Sequence, residues 1–202
     1  MDKVILVGGY RYHTLERYVG QYQRDFSFSI ELVYNPYYKE LGTGYTLKVG
    51  LEACLKEPHC EEIVMIEGDL FFDKESFEHV KTSCQSVVTY NYRPIDSRKA
   101  VIAYINQENV LKYIFSTSHG AVEINEPFLE IYNSGQIWKF KKIDRVKQLM
   151  KELPKEIWRG TNLLFVEAYF AGVKEAEREM IALKIWENCN TRMDYLQYEK
   201  QL

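Results

Sequence analysis

The residues best placed to do chemistry are the two acids of Glu67-Gly68-Asp69, which follow the apolar run Ile63-Val64-Met65-Ile66 directly. Four apolar residues with no alternation read as a strand buried on both faces, and the acid, glycine and second acid after it read as the turn at its carboxyl end. In open α/β sheets, ligands sit in the crevice beyond the carboxyl ends of strands. Carboxylates delivered there make a charged functional site, although the same pattern also suits two acids facing water in a βα loop. Gly68 lets the backbone turn closely between them, and Asp73 is expected to cap the helix that follows.

Other reactive residues are scattered. His13, His59, His79 and His119 show no HxxxH or Cys-His spacing, which argues against zinc. His119-Gly120 follows Ser116-Thr117-Ser118 in a polar loop that suits solvent better than phosphate. Cys54, Cys60, Cys84 and Cys189 have no CxxC spacing, so reduced thiols are expected. No Gly-x-Ser-x-Gly elbow, G-x-G-x-x-G fingerprint or G-x-x-x-x-G-K loop occurs. Gly42-Thr43-Gly44 opens a helix whose N-terminal N–H groups would suit an anion, or a plain cap.

The elements that must position these residues follow from the apolar pattern. Val4 to Val7, ended by Gly8-Gly9-Tyr10, is a strand running into a tight turn. Leu15, Tyr18, Val19 and Tyr22 then recur at helical spacing behind Thr14, a candidate N-cap, and Ile30 to Tyr34 is a second strand. Leu47, Leu51, Cys54 and Leu55 mark the next helix. Beyond Asp73, a helix carries Phe77, Val80 and Cys84 inward, and Val87 to Tyr92 is a strand. Ala100 to Ile105 and Val110 to Ile114 form a hairpin around Gln107-Glu108-Asn109. Glu130 to Phe140 is a strand interrupted at Asn133-Ser134-Gly135, which predicts a bulge or a substrate-facing turn. Helices follow from about Asp144 to Pro154 and from near Asn162 to Gly172, then a strand from Met180 to Trp186, and a last helix opened by Thr191-Arg192-Met193-Asp194. Strands that do not alternate with helices imply a mixed sheet.

Composition bounds the class. With 202 residues, 46% of them hydrophobic and 27% charged, the chain suits one globular domain over residues 1–202. A net charge of -3 without a basic stripe argues against nucleic acid. No run approaches a membrane span, and the N-terminus lacks a signal-peptide layout, so a cytoplasmic location is expected. The 16 tyrosines suit half-buried strand packing more than ligand clefts.

Taken in order, Val7-Gly8-Gly9-Tyr10, Val33-Tyr34-Asn35-Pro36, Thr43-Gly44-Tyr45-Thr46-Leu47, Glu67-Gly68-Asp69-Leu70-Phe71-Phe72 and Trp186-Glu187-Asn188-Cys189-Asn190-Thr191-Arg192-Met193-Asp194-Tyr195 resemble the sugar-phosphate and phosphocholine nucleotidyltransferases of the GT-A-like fold. The likeness is one of order and spacing over nearly the whole chain. It implies a three-layer αβα sandwich, Rossmann-like, with a mixed, mostly parallel sheet. It also implies transfer of a nucleotidyl group from an NTP, CTP-type favoured, to a phosphorylated sugar, alditol or choline, with release of pyrophosphate. In that family Mg²⁺ bridges the phosphate oxygens of two polyanions that must meet in line. The resemblance makes Asp69 the catalytic residue and, with Asn190, a metal ligand. Gly9, Tyr10, Asn35, Tyr45, Glu67 and Gln136 become the nucleotide- or substrate-binding set.

Two departures stand beside the likeness. The family opens with a strand and a glycine-rich phosphate loop, and this chain starts where the family's second strand would be. The expectation is an N-terminally truncated fold with an exposed sheet edge open to a second copy or a partner chain that supplies the missing unit. The family's late Trp-x-Glu-Ile-Asp-Thr reads Trp186-Glu187-Asn188-Cys189-Asn190-Thr191 here, so the expected Asp is Asn190. A unit charge pair at about 4 Å contributes about 4 kcal/mol at an effective dielectric near 20, and a divalent ion doubles it. Metal affinity is therefore expected to fall unless Glu187 or substrate phosphate compensates. Asp194 is expected to serve the helix start. A non-catalytic relative that binds a nucleotide-sugar or a protein partner is the alternative, and a GT-A glycosyltransferase ranks last because the Asp-x-Asp motif is absent.

Overall fold

In chain order the computed structural model runs β1 (Lys3–Gly8), α1 (Tyr12–Tyr22), β2 (Ser29–Tyr34), α2 (Thr43–Cys54), β3 (Ile63–Ile66), β4 (Leu70–Phe72), α3 (Lys74–Thr82), β5 (Ser86–Asn91), β6 (Ile102–Asn106), β7 (Leu111–Ile114), β8 (Phe128–Phe140), α4 (Ile143–Glu152), α5 (Leu163–Phe170), β9 (Arg178–Leu183), β10 (Trp186–Asn188) and α6 (Arg192–Glu199). The structure describes residues 3–96, 100–115 and 121–199. Ser116 to Gly120, which include the His119 loop, lie outside the described residues. No helix among the described residues is long and apolar enough to cross a membrane.

The chain divides into two compact units, Met1–Glu61 with Ile143–Tyr169, and Glu62–Lys142 with Phe170–Leu202. The first holds the opening β-α-β. Strands β1 and β2 pair in parallel from Lys3 opposite Ser29 to Gly8 opposite Tyr34, and α2 packs on β1 through Gly50, whose missing side chain admits Val7. Leu47 and Leu51 of α2, Val146 and Leu149 of α4, and Phe165 and Val166 of α5 are its buried apolar positions. Helix α1 starts at Tyr12, not behind Thr14. Arg11 precedes it in the left-handed region (φ 52) and supplies no side-chain cap.

The second unit is built on β8, whose 13 residues pair with three strands. One edge of β8 pairs with β6 from Phe128 to Asn133 and then with β3 from Ile137 to Phe140, both antiparallel. The other edge pairs with β5, and β9 joins β5 in parallel. Between the β6 and β3 stretches lies the predicted interruption. Val88 pairs with Trp138 and Tyr90 with Ser134, so two steps along β5 match four along β8. Thr89, fully buried, fills the gap: its hydroxyl donates to the Ile137 carbonyl at 2.8 Å and accepts from the Ile137 N–H at 3.1 Å. A Cβ on Gly135 would lie 2.5 Å from Thr89 Oγ1 and 2.8 Å from Leu183 Cδ1. Only glycine fits there.

The strands form three separate sheets, and the pairing is mixed, as expected, but not mostly parallel: β1–β2 and β5–β9 are the parallel pairs, against antiparallel β3–β8, β5–β8, β6–β7, β6–β8 and β4–β10. The cause is β8, which runs antiparallel to all three of its neighbours. Strand β3 is not buried on both faces either, since Ile66 at its end is 38% exposed. The sequence reading also missed β4, and the expected strand from Met180 to Trp186 is two strands broken at Lys184-Ile185. Asp73 caps α3 as expected, accepting from the Ser76 N–H at 2.8 Å and from the Ile185 N–H at 3.0 Å.

Gly135→Ala should lower stability by about 1–3 kcal/mol through overpacking against buried Thr89 and Leu183, read as a reduced urea midpoint. Burial pushes the Asp73 carboxyl upward, but hydrogen bonds from Ile185 and Ser76 outweigh it and leave it below the usual range. Asp73→Ala should cost about 1–2 kcal/mol at neutral pH. A depressed carboxyl stabilises above its unfolded pKa, so the gap between wild type and variant should close as pH falls through the acidic aspartate range. A gap that persists in acid would show that the charge is not the source.

Candidate functional site

In the second unit, β3 ends at Ile66 and the chain turns through Glu67-Gly68-Asp69 into β4. Two backbone bonds fix that turn. The Glu67 N–H donates to the Gln136 carbonyl at 3.3 Å, carrying the β3–β8 pairing one residue further. The Cys189 N–H donates to the Asp69 carbonyl at 2.7 Å, carrying the β4–β10 ladder one residue beyond Leu70 opposite Asn188. Main-chain pairing thus sets Glu67 beside Gln136 of the β8 bulge and Asp69 beside Cys189, and Asn190 is the next residue in the chain. Asp69 and Asn190 are exposed, and Glu67 is half-buried.

Gln136 is held in an unusual way. Its φ of 56 lies in the left-handed region, which for a residue other than glycine costs on the order of 1–3 kcal/mol unless the surroundings enforce it. Here they do: the Gln136 N–H donates to Ser134 Oγ at 3.2 Å, and the preceding Gly135 carbonyl accepts from Trp186 Nε1 at 2.8 Å. The residue is 6% exposed.

The acids around the turn do not pool their charge. Glu187, on β10, is ion-paired with Arg93. Asp194 accepts from the Thr191 N–H at 2.7 Å while Thr191 Oγ1 accepts from the Asp194 N–H at 3.2 Å, a reciprocal cap on α6 of the kind expected. Burial, then the carboxylates of Asp194 and Asp69, push the Cys189 thiol up, so it is no ready thiolate. Among the described residues no group of three or more His, Cys, Asp or Glu side chains could hold a metal ion. Besides half-buried Glu67, the exposed donors are one carboxylate, Asp69, and one amide, Asn190. That set does not fit a resident divalent ion. It suits one that arrives already bound to phosphates, since magnesium is commonly held by one or two carboxylates with substrate phosphates and water.

Asn188 is the residue here that the sequence reading passed over. Its Oδ1 is buried without a hydrogen-bond partner. The late motif held the signal, because the spacing that sets Asn190 at the family's Asp also sets Asn188 at the family's Glu.

The remaining candidates belong to the first unit. Asn35 is 1% exposed and braces its own loop: its backbone N–H donates to the Gly8 carbonyl at 2.8 Å, its amide donates to Thr46 Oγ1 at 3.0 Å, and its Oδ1 accepts from the Tyr37 N–H at 2.9 Å. Tyr45 meets Tyr37 edge-on at 5.4 Å. A cleft of about 440 Å³ at the end of β1 is lined by Gly9, Arg11, Tyr12, Glu16, Tyr34 and Tyr38. Tyr10 is 71% exposed, with the Arg11 guanidinium 5.4 Å from its ring centre. At the start of α2, protein carbonyls take the N–H groups that an anion would use: Gly42 donates to Arg159 at 3.0 Å and Gly44 to Gly160 at 2.9 Å, while Thr43 and Asn162 bond reciprocally. The N-cap is Gly42, which has no side chain to cap with, so the main-chain bonds to Arg159 and Gly160 seal this helix start.

A family model described as a domain of unknown function, DUF6564, matches residues 1–202. The chain belongs to that family. No curated protein matches its sequence. Solved structures do match its fold. HddC from Yersinia pseudotuberculosis is 15% identical with a TM-score of 0.63, covering 100% of this chain and 79% of that one. A Bacillus anthracis protein named as a glucose-1-phosphate thymidylyltransferase is 12% identical with a TM-score of 0.67, covering 98% and 74%. UDP-glucose pyrophosphorylase is 12% identical with a TM-score of 0.63, covering 100% and 82%. At these identities the likeness shows the fold, a mixed α/β fold shared with nucleotidyltransferases.

Gly42→Ala would set a Cβ 2.2 Å from the Gly160 carbonyl oxygen, a backbone atom that cannot swing aside. It should destabilise the chain by roughly 3 kcal/mol or more, by overpacking and by loss of the capping bonds. Denaturant unfolding checks this, and an unchanged midpoint would mean the α2 start is not sealed as described.

Proposed function

We propose that this chain binds a nucleoside triphosphate together with a phosphorylated small molecule at the Glu67–Asp69 turn and joins them by nucleotidyl transfer, releasing pyrophosphate. The observation that carries this reading is the pair of main-chain bonds at the carboxyl end of β3, Glu67 N–H to the Gln136 carbonyl and Cys189 N–H, next to Asn190, to the Asp69 carbonyl. The fold supports it, since HddC was solved with GMP-PN and UDP-glucose pyrophosphorylase with UDP-glucose. CTP is the nucleotide favoured by the sequence likeness.

In this reading Asp69 is the one charged protein ligand of a magnesium ion that enters with the triphosphate, and Asn190 adds a neutral oxygen. Bound there, the ion would neutralise phosphate charge. The protein's own contribution is position: the β8 bulge and the β4–β10 ladder hold the ligand-facing residues before any ligand arrives, and such preorganisation is most of what phosphoryl chemistry asks of a protein. Glu187 stays with Arg93 and takes no part.

A second reading has its own observation. Amides at both Asn188 and Asn190, and a sequestered Glu187, describe a site with little charge, which suits a non-catalytic relative that binds a nucleotide-sugar.

Calorimetric titration with CTP, UTP, ATP and GTP, with and without Mg²⁺, separates the two. Nucleotidyl transfer predicts Mg²⁺-dependent binding of one triphosphate, lost by at least tenfold in Asp69→Ala, and tightened by at least tenfold in Asn190→Asp, which restores a charge beside the cation. Pyrophosphate release must follow once an acceptor is supplied. Binding that ignores both Mg²⁺ and Asp69→Ala would select the non-catalytic reading, and no binding of any triphosphate would sink the first.

A further inference from the structure

Strands β3 and β5 flank β8 on opposite edges and both run against it, so their carboxyl ends face the same way. The Glu67–Asp69 turn leaves one of those ends, and Arg93, two residues beyond Asn91, leaves the other. Ligands of open α/β sheets gather at that edge. Arg93 is anchored there by its backbone: its N–H donates to Asn91 Oδ1 at 3.0 Å, and its carbonyl accepts from Asn133 Nδ2 at 3.4 Å. Its guanidinium reaches across to Glu187 on β10.

That ion pair stands on the same face of the β4–β10 ribbon as Asp69. Leu70, Phe72 and Trp186 pack against the buried cluster around Val80 and Ile137. Side chains alternate along a strand, so Phe71 and Glu187, which lie opposite each other, point the other way, and Phe71 stacks on Tyr198 of α6 at 5.7 Å. Asp69 and Cys189 are the next pair along on this outer face, and the Asp69 carboxylate is near enough to help push the Cys189 thiol up. Glu187 and Asp69 therefore share a face, with Cα atoms roughly 8 Å apart at ordinary strand dimensions.

The pair is lopsided. The Glu187 side chain is 18% exposed and the Arg93 side chain 56%, so the carboxylate sits inward and the cation outward. A bidentate carboxylate engages two of the five N–H donors of a guanidinium and leaves the rest to solvent. Their planar fork matches phosphate oxygens as well as it matches a carboxylate.

Resting on the nucleotidyl-transfer reading of this turn, we infer that Arg93 binds phosphate oxygens of the ligand there, oriented by Glu187, which itself makes no contact with the ligand. Charge argues the same way. The Glu67 and Asp69 carboxylates repel a polyanion, and a cation fixed on the Asp69 face offsets them within the distance of about 8–10 Å over which salt leaves charges coupled.

The test is calorimetry on the full chain with two probes, inorganic tripolyphosphate with Mg²⁺ and glucose 1-phosphate, set beside the nucleoside triphosphate titrations. Removing Arg93 alone would bare the Glu187 charge, so the comparison that decides is between Glu187→Gln and the double variant Arg93→Gln/Glu187→Gln. Glu187→Gln should bind phosphate at least as tightly as the wild type, because the guanidinium loses its counter-charge. The double variant should weaken at least tenfold the probe whose phosphate Arg93 holds: tripolyphosphate if it is the nucleotide's, glucose 1-phosphate if it is the acceptor's. Lys184→Ala removes the same charge from the exposed pair with Glu75 and should move either Kd by less than twofold. Arg93→Lys/Glu187→Gln keeps a charge without the fork, guards against misfolding of the double variant, and should weaken the same probe at least threefold. Equal affinities in Glu187→Gln and the double variant, an equal loss in Lys184→Ala, or no binding of either probe to the wild type overturns the inference. Triphosphate binding that is lost in Asp69→Ala but unmoved in the double variant overturns it and leaves the nucleotide site standing. Arg93-dependent tripolyphosphate binding without binding of any nucleoside triphosphate would uphold Arg93 and overturn nucleotidyl transfer.

Discussion

Everything that could act in the second unit depends on how Thr89 and Gly135 let β8 change partners. A strand that pairs with β6 over its first half and β3 over its second must absorb a mismatch between the two, and it does so by pushing two extra residues out of register against β5. The Thr89 hydroxyl closes the resulting hole by bonding both the N–H and the C=O of Ile137. Without that hydroxyl two buried backbone groups would be orphaned, at roughly 1–3 kcal/mol each. With it, the bulge is rigid, and Gln136 is left beside the turn from β3 to β4.

The same economy shapes the charge. A turn that follows a strand end offers acids to a ligand only if nearby groups do not neutralise them first. Asp73 is committed to α3 and the Ile185 N–H, Asp194 to α6, and Glu187 to Arg93. Asp69 alone has its carbonyl in the ladder and its carboxylate exposed.

Much of this was legible in the sequence because it rests on local signals. The strand ahead of Glu67, the Asp73 cap, the Thr191–Asp194 cap and the interruption at Asn133-Ser134-Gly135 are set by residues a few positions apart. The features that were missed are set by distant pairings. Strands β4 and β10 have three residues each and exist because each meets the other across more than a hundred positions. The left-handed Gln136 follows from Thr89 and Trp186, not from its own neighbours' types. The antiparallel excess follows from the direction of β8, which no local pattern encodes, and the start of α1 at Tyr12 follows a left-handed Arg11 that residue types do not announce. For Asn188, the spacing gave the position, but only burial shows that its acceptor is unmet.

The most direct measurement is an amide-resolved NMR titration of the chain with a triphosphate and Mg²⁺. Binding at the turn predicts that the largest shifts fall on Gly68, Asp69, Gln136 and Asn190, the residues at or next to the main-chain bonds of the turn. Shifts confined to the Gly9 and Asn35 region of the first unit, with these four unmoved, would contradict it.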